Sequence, residues 1–380
     1  MKFLHRVSRP SFVLSLILLL FIAFMHSGCS TKEPVTIGFV GGLTGKIGDV
    51  GTYGRDGAIL AVEARNASGG IRGRKVALEI RDDAQDAAKV KSGVKELTDR
   101  GVLAVIGPIA SEMCVAALPV AQERNVLLVS PSAMTDELSG KTDLFVRVLP
   151  AVRENSSRMA DFMHDNMSVS SVAAVADLGN RAYTMNWVEG FKSRLVARGG
   201  RVTGVETYTS EPQALFIPLA RRLAGHGAQA VLVSASAVDA AMICQQLRKI
   251  GWKGKIVVTE WASSEKFLSL GGSAVEGVVV SQFFDRESRD PRYLAFADAY
   301  RKRFGTDPGY FSVLGYDAAN VVLDALETCN LCGGETLRDT ILRIGAFQGI
   351  QEKFSIDAFG DAKRGSFIAV VRNGKYRVVR

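Results

Sequence analysis

The chain has 380 residues, of which 47% are hydrophobic and 23% are charged, and its formal net charge is +8 at pH 7. This length exceeds what one compact core usually holds, so we expect two lobes. The positive charge is mild for the length, and no block of Lys and Arg interleaves with aromatic residues, so nucleic acid is not an expected partner.

Residues 1–28 have the features of a signal peptide. Three basic residues precede an apolar run over 12–25, which is short for a membrane span and typical of a secretory signal. His26-Ser-Gly-Cys29 resembles a bacterial lipobox in which Cys29 is lipidated, although His26 replaces the usual aliphatic residue. The alternative is an ordinary secretory signal with an incidental Cys29. We expect an exported protein, periplasmic or at the cell surface, anchored to the lipid bilayer through Cys29.

The first predicted strand, over 36–40, opens a stretch with eight glycines in residues 35–58. A P-loop is excluded because Val40 stands where its first glycine is required and Ile47 follows Gly45-Lys46. A dinucleotide fingerprint is excluded because no Gly-x-Gly step follows the strand. We therefore expect no nucleotide cofactor. The glycines either only make turns or form a loop for another ligand, before a helix that we predict to start near Tyr53.

Strands and helices alternate through the rest of the chain. The predicted strands are 76–81, 102–106, 126–129, 172–176, 202–206, 230–233, 255–258, 278–281, 354–356 and 367–372. The predicted helices are 87–97, 112–123, 157–164, 186–198, 217–225, 238–250, 292–304, 312–327 and 337–344, and residues 147–150 are predicted as a crossing between lobes. This alternation predicts an α/β fold with doubly wound parallel sheets, whose ligands bind outside the carboxyl ends of the strands.

Three loops after predicted strands carry groups that suit a zwitterion. Ser111 is placed to cap the helix that follows Gly107-Pro108, and the same helix start could bind a carboxylate. Residues 129–134 offer backbone carbonyls and hydroxyls, including that of Ser132. Glu260, beside a tryptophan, is either a solvated loop residue or the partner of a cation. An anion site and a carboxylate on facing lobes predict a free amino acid as ligand.

The four cysteines that follow Cys29 predict no metal site. Cys114 and Cys244 lie in apolar helical patterns and are expected in the core. Cys329 and Cys332 form a CxxC pair after a helix, which is at most half of a zinc site, and an oxidising compartment favours a local disulfide over a redox role.

The chain resembles the type I periplasmic binding proteins, in particular the leucine/isoleucine/valine-binding receptors of ABC transporters. The resemblance extends from Val35 to about Arg372. It rests on "IGFVGGLTG" with "YGRDGAILAVEARNASGGIRGRKVALEIRDDAQD", on "AVIGPIASEMCVAALPVAQERNVLLVSPSA" and on "IDAFGD".

The resemblance implies a ligand site position by position. Tyr53 matches a tyrosine that lines the cleft, and Ser111 matches the serine that holds the ligand carboxylate. Ser132 matches a residue whose backbone contacts the amino-acid head group. Tyr183 matches a tyrosine of the second lobe that closes over the ligand. Glu260 matches the acid that binds the ligand ammonium.

Two positions depart from the pattern of the family. Met134 stands where amino-acid binders carry a threonine that contacts the head group, although Thr135 is adjacent. Ser236 stands where branched-chain receptors have a tyrosine. The side-chain pocket is therefore expected to be altered, and a non-amine carboxylate or an amide stays open as the ligand.

The resemblance also implies the domain organisation. Lobe I is expected over residues 34–150 with 282–350, and lobe II over 151–281 with 351–380. Three crossings near 148–151, 281–285 and 346–352 are expected to form a hinge.

We predict that the protein is the solute receptor of an ABC importer and that it binds a branched-chain or related amino acid. Its expected partners are the transmembrane permease subunits. A sensory lipoprotein that presents the bound ligand to a signalling partner is the alternative. An enzyme is not expected, because neither His164 nor His226 lies in the predicted cleft loops and no catalytic arrangement recurs there.

Overall fold

The structure is a computed structural model that describes residues 33–209 and 216–379. The predicted signal peptide and Cys29 lie outside the described residues. The strands are β1 (Val35–Gly41), β2 (Val76–Asp82), β3 (Ala104–Ile106), β4 (Leu127–Ser130), β5 (Phe145–Arg147), β6 (Ser171–Asp177), β7 (Arg201–Tyr208), β8 (Ala230–Ser234), β9 (Lys255–Val258), β10 (Val279–Gln282), β11 (Ala346–Gln348), β12 (Lys353–Ile356), β13 (Ala362–Lys363), β14 (Phe367–Arg372) and β15 (Lys375–Val378).

The helices alternate with the strands, as the sequence predicts. They are α1 (Gly48–Ala67), α2 (Ala87–Asp99), α3 (Ser111–Glu123), α4 (Val152–Asp165), α5 (Arg181–Ala197), α6 (Phe216–Gly225), α7 (Ala237–Lys249), α8 (Glu265–Gly271), α9 (Pro291–Phe304), α10 (Tyr310–Thr328) and α11 (Gly334–Ile344). Short 3-10 turns at 45–47, 136–138, 178–180, 260–262 and 272–275 connect several of them.

Lobe I is built on a parallel sheet with the strand order β2-β1-β3-β4-β5. Helices α1, α10 and α11 pack together on this lobe, and α2 packs beside α3. Because helices cover it, β3 is buried along its whole length, and its sequence Ala-Val-Ile is apolar without alternation.

Lobe II is built on a seven-stranded sheet with the order β15-β14-β10-β9-β8-β6-β7. Strands β6 to β10 run parallel, and β14 and β15 complete one edge in antiparallel pairing. Strand β6, with the sequence SVAAVAD, is buried at every position. The predicted α/β fold of two parallel-sheet lobes is confirmed.

A third, small antiparallel sheet of β11, β12 and β13 lies where the chain passes between the lobes. Two buried arginines fix its surroundings. Arg147, at the end of β5, donates from Nε to Asp361 Oδ1 at 2.8 Å, and Arg364 donates from Nη2 to Asp317 Oδ2 of α10 at 2.6 Å. The "IDAFGD" segment thus supplies a carboxylate to a buried cation of lobe I.

The structure corrects several predicted elements. Residues 145–147 form strand β5, so the crossing to lobe II begins later than the predicted 147. Helix α4 starts at Val152 and not near 157. The two-to-four-residue strands β11, β13 and β15 were not predicted, because so few residues show no periodicity.

Candidate ligand-binding site

The glycine-rich stretch forms a short loop at the edge of the cleft and then a helix. Helix α1 starts at Gly48, which corrects the predicted start near Tyr53. Asp82, at the end of β2, fixes the loop by accepting the N–H of Leu43 at 2.7 Å and the hydroxyl of Thr44 at 2.6 Å. Two residues that follow the fixed segment, Ile47 and Val50, reach the pocket described next.

Four of the eight glycines lie within α1 itself, and two of them permit close packing. A Cβ on Gly51 would lie 2.0 Å from the carbonyl oxygen of Gly42, and a Cβ on Gly57 would lie 2.0 Å from that of Ser312 in α10. Since real Cβ atoms do not approach an oxygen so closely, only glycine fits. The glycines therefore serve close backbone contact as well as turn formation.

A pocket lies between the carboxyl ends of the two parallel sheets, and side chains of both lobes line it. Lobe I contributes Ile47, Val50, Ile109, Ala110, Ser111, Ser132, Met134, Tyr310 and Phe311. Lobe II contributes Asn180, Tyr183, Glu260 and Trp261. This is the location that doubly wound sheets give to their ligands.

Ser111 lies at the start of α3 and presents its hydroxyl to the pocket. The helix cap is Ala110 and not Ser111, which corrects the predicted capping role. Ser111 Oγ instead accepts the backbone N–H of Met134 at 3.1 Å and that of Thr135 at 3.3 Å. A serine oxygen has two lone pairs and one proton, so its O–H is left as a donor. This donor, together with the positive end of the helix, suits an anion such as a carboxylate.

Glu260 supplies the carboxylate of the pocket from the turn after β9. It is 2% exposed, and its oxygens accept the indole N–H of Trp187 at 3.1 and 3.2 Å. Burial raises the pKa of Glu260 to about 7, because the ionised form loses its hydration. Its hydrogen-bond partner Trp187 is neutral, so a ligand cation would be the group that compensates the charge.

Aromatic side chains surround Glu260 on both lobes. The rings of Tyr183 and Trp261 meet edge to face, with centroids 5.9 Å apart. Tyr310, the first residue of α10, packs against Phe311 with centroids 4.8 Å apart. Burial raises the pKa of both the Tyr183 and the Tyr310 hydroxyls, so both stay protonated at neutral pH. The polar groups of the pocket are thus held in a largely apolar enclosure.

Five of the seven predicted ligand-site residues line this pocket: Ser111, Ser132, Met134, Tyr183 and Glu260. Ser132 donates its hydroxyl to the carbonyl of Ile109 at 2.8 Å, so that hydroxyl is occupied within the protein.

Tyr53 and Ser236 are not among the lining residues. Tyr53 is half-buried beside Gly309, directly before Tyr310. Ser236 is buried at the start of α7, where its hydroxyl accepts the N–H of Asp239 at 3.4 Å. It caps a helix and does not reach the ligand space.

Sequence reasoning missed several residues of the site. Trp187 lies 73 positions from its partner Glu260, and nothing in the helical pattern of α5 indicates that its indole N–H bonds to that carboxylate. Asn180 was also missed, although Tyr183, in the same short segment after β6, was predicted. Tyr310 had no local signal, because it starts a helix rather than following a strand.

The two lobes are joined beside the pocket by a reciprocal pair of hydrogen bonds, which we name the helix-end latch (Glu112, Asn180 and Ala182). Asn180 Oδ1 of lobe II accepts the N–H of Glu112 at the start of α3, at 3.1 Å. Glu112 Oε2 accepts the N–H of Ala182 at the start of α5, at 2.8 Å. Each lobe therefore caps a helix of the other, and the lobes are closed in this structure.

The remaining sequence predictions concern cysteines, metals and membranes. Cys329 and Cys332 form a disulfide, whereas Cys114 and Cys244 are buried free thiols. Within residues 33–209 and 216–379, no group of three or more His, Cys, Asp or Glu side chains is arranged to hold a metal. No helix in this described part of the chain is both long enough and apolar enough to cross a membrane.

The fold and the pocket define a two-lobed solute-binding protein that encloses a small ligand between parallel sheets. The chain belongs to the periplasmic binding protein family, whose sequence model matches residues 34–375. This is a family of transport proteins that bind substrates and not a family of enzymes. The family and the receptor class predicted from the sequence are thereby confirmed.

Relatives match along most of their length. A Leu/Ile/Val-binding protein homologue of Brucella melitensis is 26% identical over 310 residues, which cover 81% of this chain and 82% of the relative. A protein of Pseudomonas aeruginosa is named for binding leucine, isoleucine, valine, threonine and alanine. It is 22% identical over 91% of this chain and 92% of its own length. The crystal structure of a leucine-binding protein of Thermotoga maritima superposes with a TM-score of 0.84 at 25% identity, over 91% of this chain and 98% of that one.

Proposed function

We propose that this protein is the solute receptor of an ABC importer and that it binds a free amino acid between its lobes. The observation that carries the proposal is the pairing, within one pocket, of the buried Glu260 carboxylate and the Ser111 hydroxyl at the start of α3. The first suits an ammonium and the second suits a carboxylate. Relatives named for binding leucine, isoleucine and valine support the same ligand class.

The electrostatics of the site favour a zwitterion over an ion with one charge. Among the lining residues of the described chain, Glu260 is the acidic one and no Lys or Arg accompanies it. A simple carboxylate would add a second negative charge to a buried site and would leave Glu260 without a counter-ion. An amino acid brings the missing cation together with the anion that the helix start binds.

The test is titration calorimetry on residues 30–380, unfolded and refolded to remove carried-over ligand. Three matched compounds are compared: an amino acid, its amide, and the corresponding carboxylic acid without the amino group. We expect micromolar binding, about −8 kcal/mol, to at least one amino acid. The amide and the acid without the amino group are each expected to bind with an affinity lower by tenfold or more. Equal affinity for the acid without the amino group would contradict the role of Glu260. A wild-type protein that binds no amino acid would contradict the proposed function.

We also propose that the receptor is anchored in the membrane through a lipid on Cys29 and delivers its ligand to the transmembrane permease subunits. The lipobox-like sequence after the apolar run supports this proposal. A Cys29→Ala variant is expected to move from the membrane fraction to the soluble extract, because the acyl chains that hold it are lost. Mature protein of unmodified mass in the membrane fraction would contradict lipidation.

A further inference from the structure

The hydroxyl of Tyr310 is a buried polar group for which the described chain provides no hydrogen-bond partner. Tyr310 is 2% exposed and lines the pocket, and its hydroxyl is removed from solvent in the closed lobes. Burial keeps this phenol protonated, so it both donates and accepts. Buried polar groups in folded proteins are almost always hydrogen-bonded, so a pocket-lining hydroxyl without a protein partner indicates a ligand group or a water as its partner.

The surroundings of Tyr310 indicate which part of the ligand meets it. Tyr310 and Phe311 project from α10 of lobe I, and the other lobe I lining residues include Ile47, Val50 and Ile109, which carry no polar side-chain atom. The proposed head-group partners, Ser111 and Glu260, belong to the start of α3 and to lobe II. Tyr310 thus adds a hydroxyl to the lobe I side of the pocket, next to these apolar residues, and we assign the ligand side chain to this side.

We propose that Tyr310 is a specificity-determining residue and that the preferred ligand is an amino acid with a neutral hydrogen-bonding group on its side chain, a hydroxyl or a carboxamide. This inference rests on the proposed function, since it assigns the side chain of an amino acid whose head group binds at Ser111 and Glu260. A charged side chain does not fit the proposal, because the described lining offers no second charge to pair with it.

The energetic reason is the difference between open and closed lobes. In the open state, water reaches the phenol. When the lobes close on a purely aliphatic side chain, the hydroxyl loses that water and gains nothing, whereas a side-chain hydroxyl or amide replaces the lost bond. A site that hydrogen-bonds a ligand group loses more affinity for an isostere without that group than an apolar pocket loses for a ligand without one methylene.

The test compares isosteric ligands on wild type and Tyr310→Phe by calorimetry. Threonine and valine have the same shape and differ by a hydroxyl, and serine and alanine serve as a smaller pair. We expect wild type to prefer threonine over valine by about tenfold. In Tyr310→Phe, threonine affinity falls and valine affinity rises, so the ratio approaches one. Tyr300→Phe, a buried tyrosine of α9 outside the pocket, is the matched control and leaves the ratio unchanged.

Two results overturn the inference while leaving the proposed function intact. One is a threonine-to-valine ratio that is the same in wild type and Tyr310→Phe. The other is an equal loss for every amino acid, which would place the phenol at the head group. If Tyr310→Phe folds poorly, Tyr310→Leu also removes the hydroxyl and repeats the measurement. Absence of binding of any amino acid to wild type would instead overturn the proposed function.

Discussion

Glu260 combines two properties that oppose each other in a protein without ligand. The carboxyl must be desolvated to bind an ammonium tightly, yet desolvation penalises its ionised form. The structure shows the result of this conflict, because burial raises its pKa from the ordinary 4.5 to about 7. Ionisation of Glu260 at neutral pH therefore has a cost in the ligand-free protein, and a bound cation would offset that cost.

This conflict predicts a pH dependence of stability. Between about pH 4.5 and 7 the folded protein holds a proton on Glu260 that the unfolded chain has released. The free energy of unfolding therefore falls as pH rises through this window, by about 3 kcal/mol in total, and this contribution is constant below and above it. Denaturant titrations of ligand-free wild type and Glu260→Gln are carried out over this pH range. The contribution of Glu260 is the change with pH in the difference between their free energies of unfolding.

The comparison with Glu260→Gln isolates one carboxyl group. Burial also raises the pKa of Asp83, to about 6, but Asp83 titrates in both proteins and its effect cancels in the difference. Curves for the two proteins that stay parallel from pH 4.5 to 8 would contradict the role given to Glu260.

At the scale of single residues, the sequence was sufficient to predict a pocket residue where its position directly after a strand determines its location in the fold. Glu260 and Ser111 follow strands, and the ends of parallel strands meet at one edge of a sheet. Ser236 also follows a strand, but it is turned into a helix cap, because its neighbour Asp239 offers an N–H within 3.4 Å. Whether such a side chain faces the cleft or its own helix depends on rotation about one bond, which a residue pattern does not encode.

At the scale of elements, the helix-end latch links the starts of α3 and α5. A helix start leaves backbone N–H groups unpaired, and local side chains usually satisfy them. Here the acceptors come from the opposite lobe, from residues about 70 positions away, as the separations of 68 and 70 for the two bonds show. Ser111 was predicted as the cap because capping rules consider only residues that are neighbours in the chain. Because each bond joins a helix start of one lobe to a residue of the other, opening of the lobes would break both bonds, and the bonds therefore favour closure.

We predict that Glu112→Ala weakens the binding of every amino acid by a similar factor of about tenfold. The variant loses a charge-assisted hydrogen bond of the closed state but no contact with the ligand. Ligand release measured by stopped flow should accelerate, while the unfolding transition should stay nearly unchanged. Glu123→Ala, at the exposed far end of α3, is the control. A loss that depends on the ligand side chain, or no loss, would contradict the latch.

At the scale of the whole molecule, alternation of strands and helices was enough to predict two parallel-sheet lobes, because continuous apolar strands must be covered on both faces. The order of strands and the small third sheet could not be predicted. Both depend on contacts between residues far apart in the chain, such as the pairing of β10 with β14 and the hydrogen bond of Arg147 to Asp361, 214 positions away, for which no local pattern exists. The division into lobe I (34–150, 282–350) and lobe II (151–281, 351–380) stays a prediction.

The contact between α1 and α10 sets a limit on how the selectivity of this receptor can be re-engineered. A Cβ on Gly57 would lie 2.0 Å from the backbone of Ser312, and one on Gly315 would lie 2.0 Å from that of Gly54. The same two helices carry Val50 and Tyr310 into the pocket. The spacing of these two helices, and with it the distance between Val50 and Tyr310, is thus set by close backbone contact at positions that do not line the pocket. A library that varies only lining residues keeps this spacing, whereas a single methyl group added at Gly57 or Gly315 would force the two helices apart.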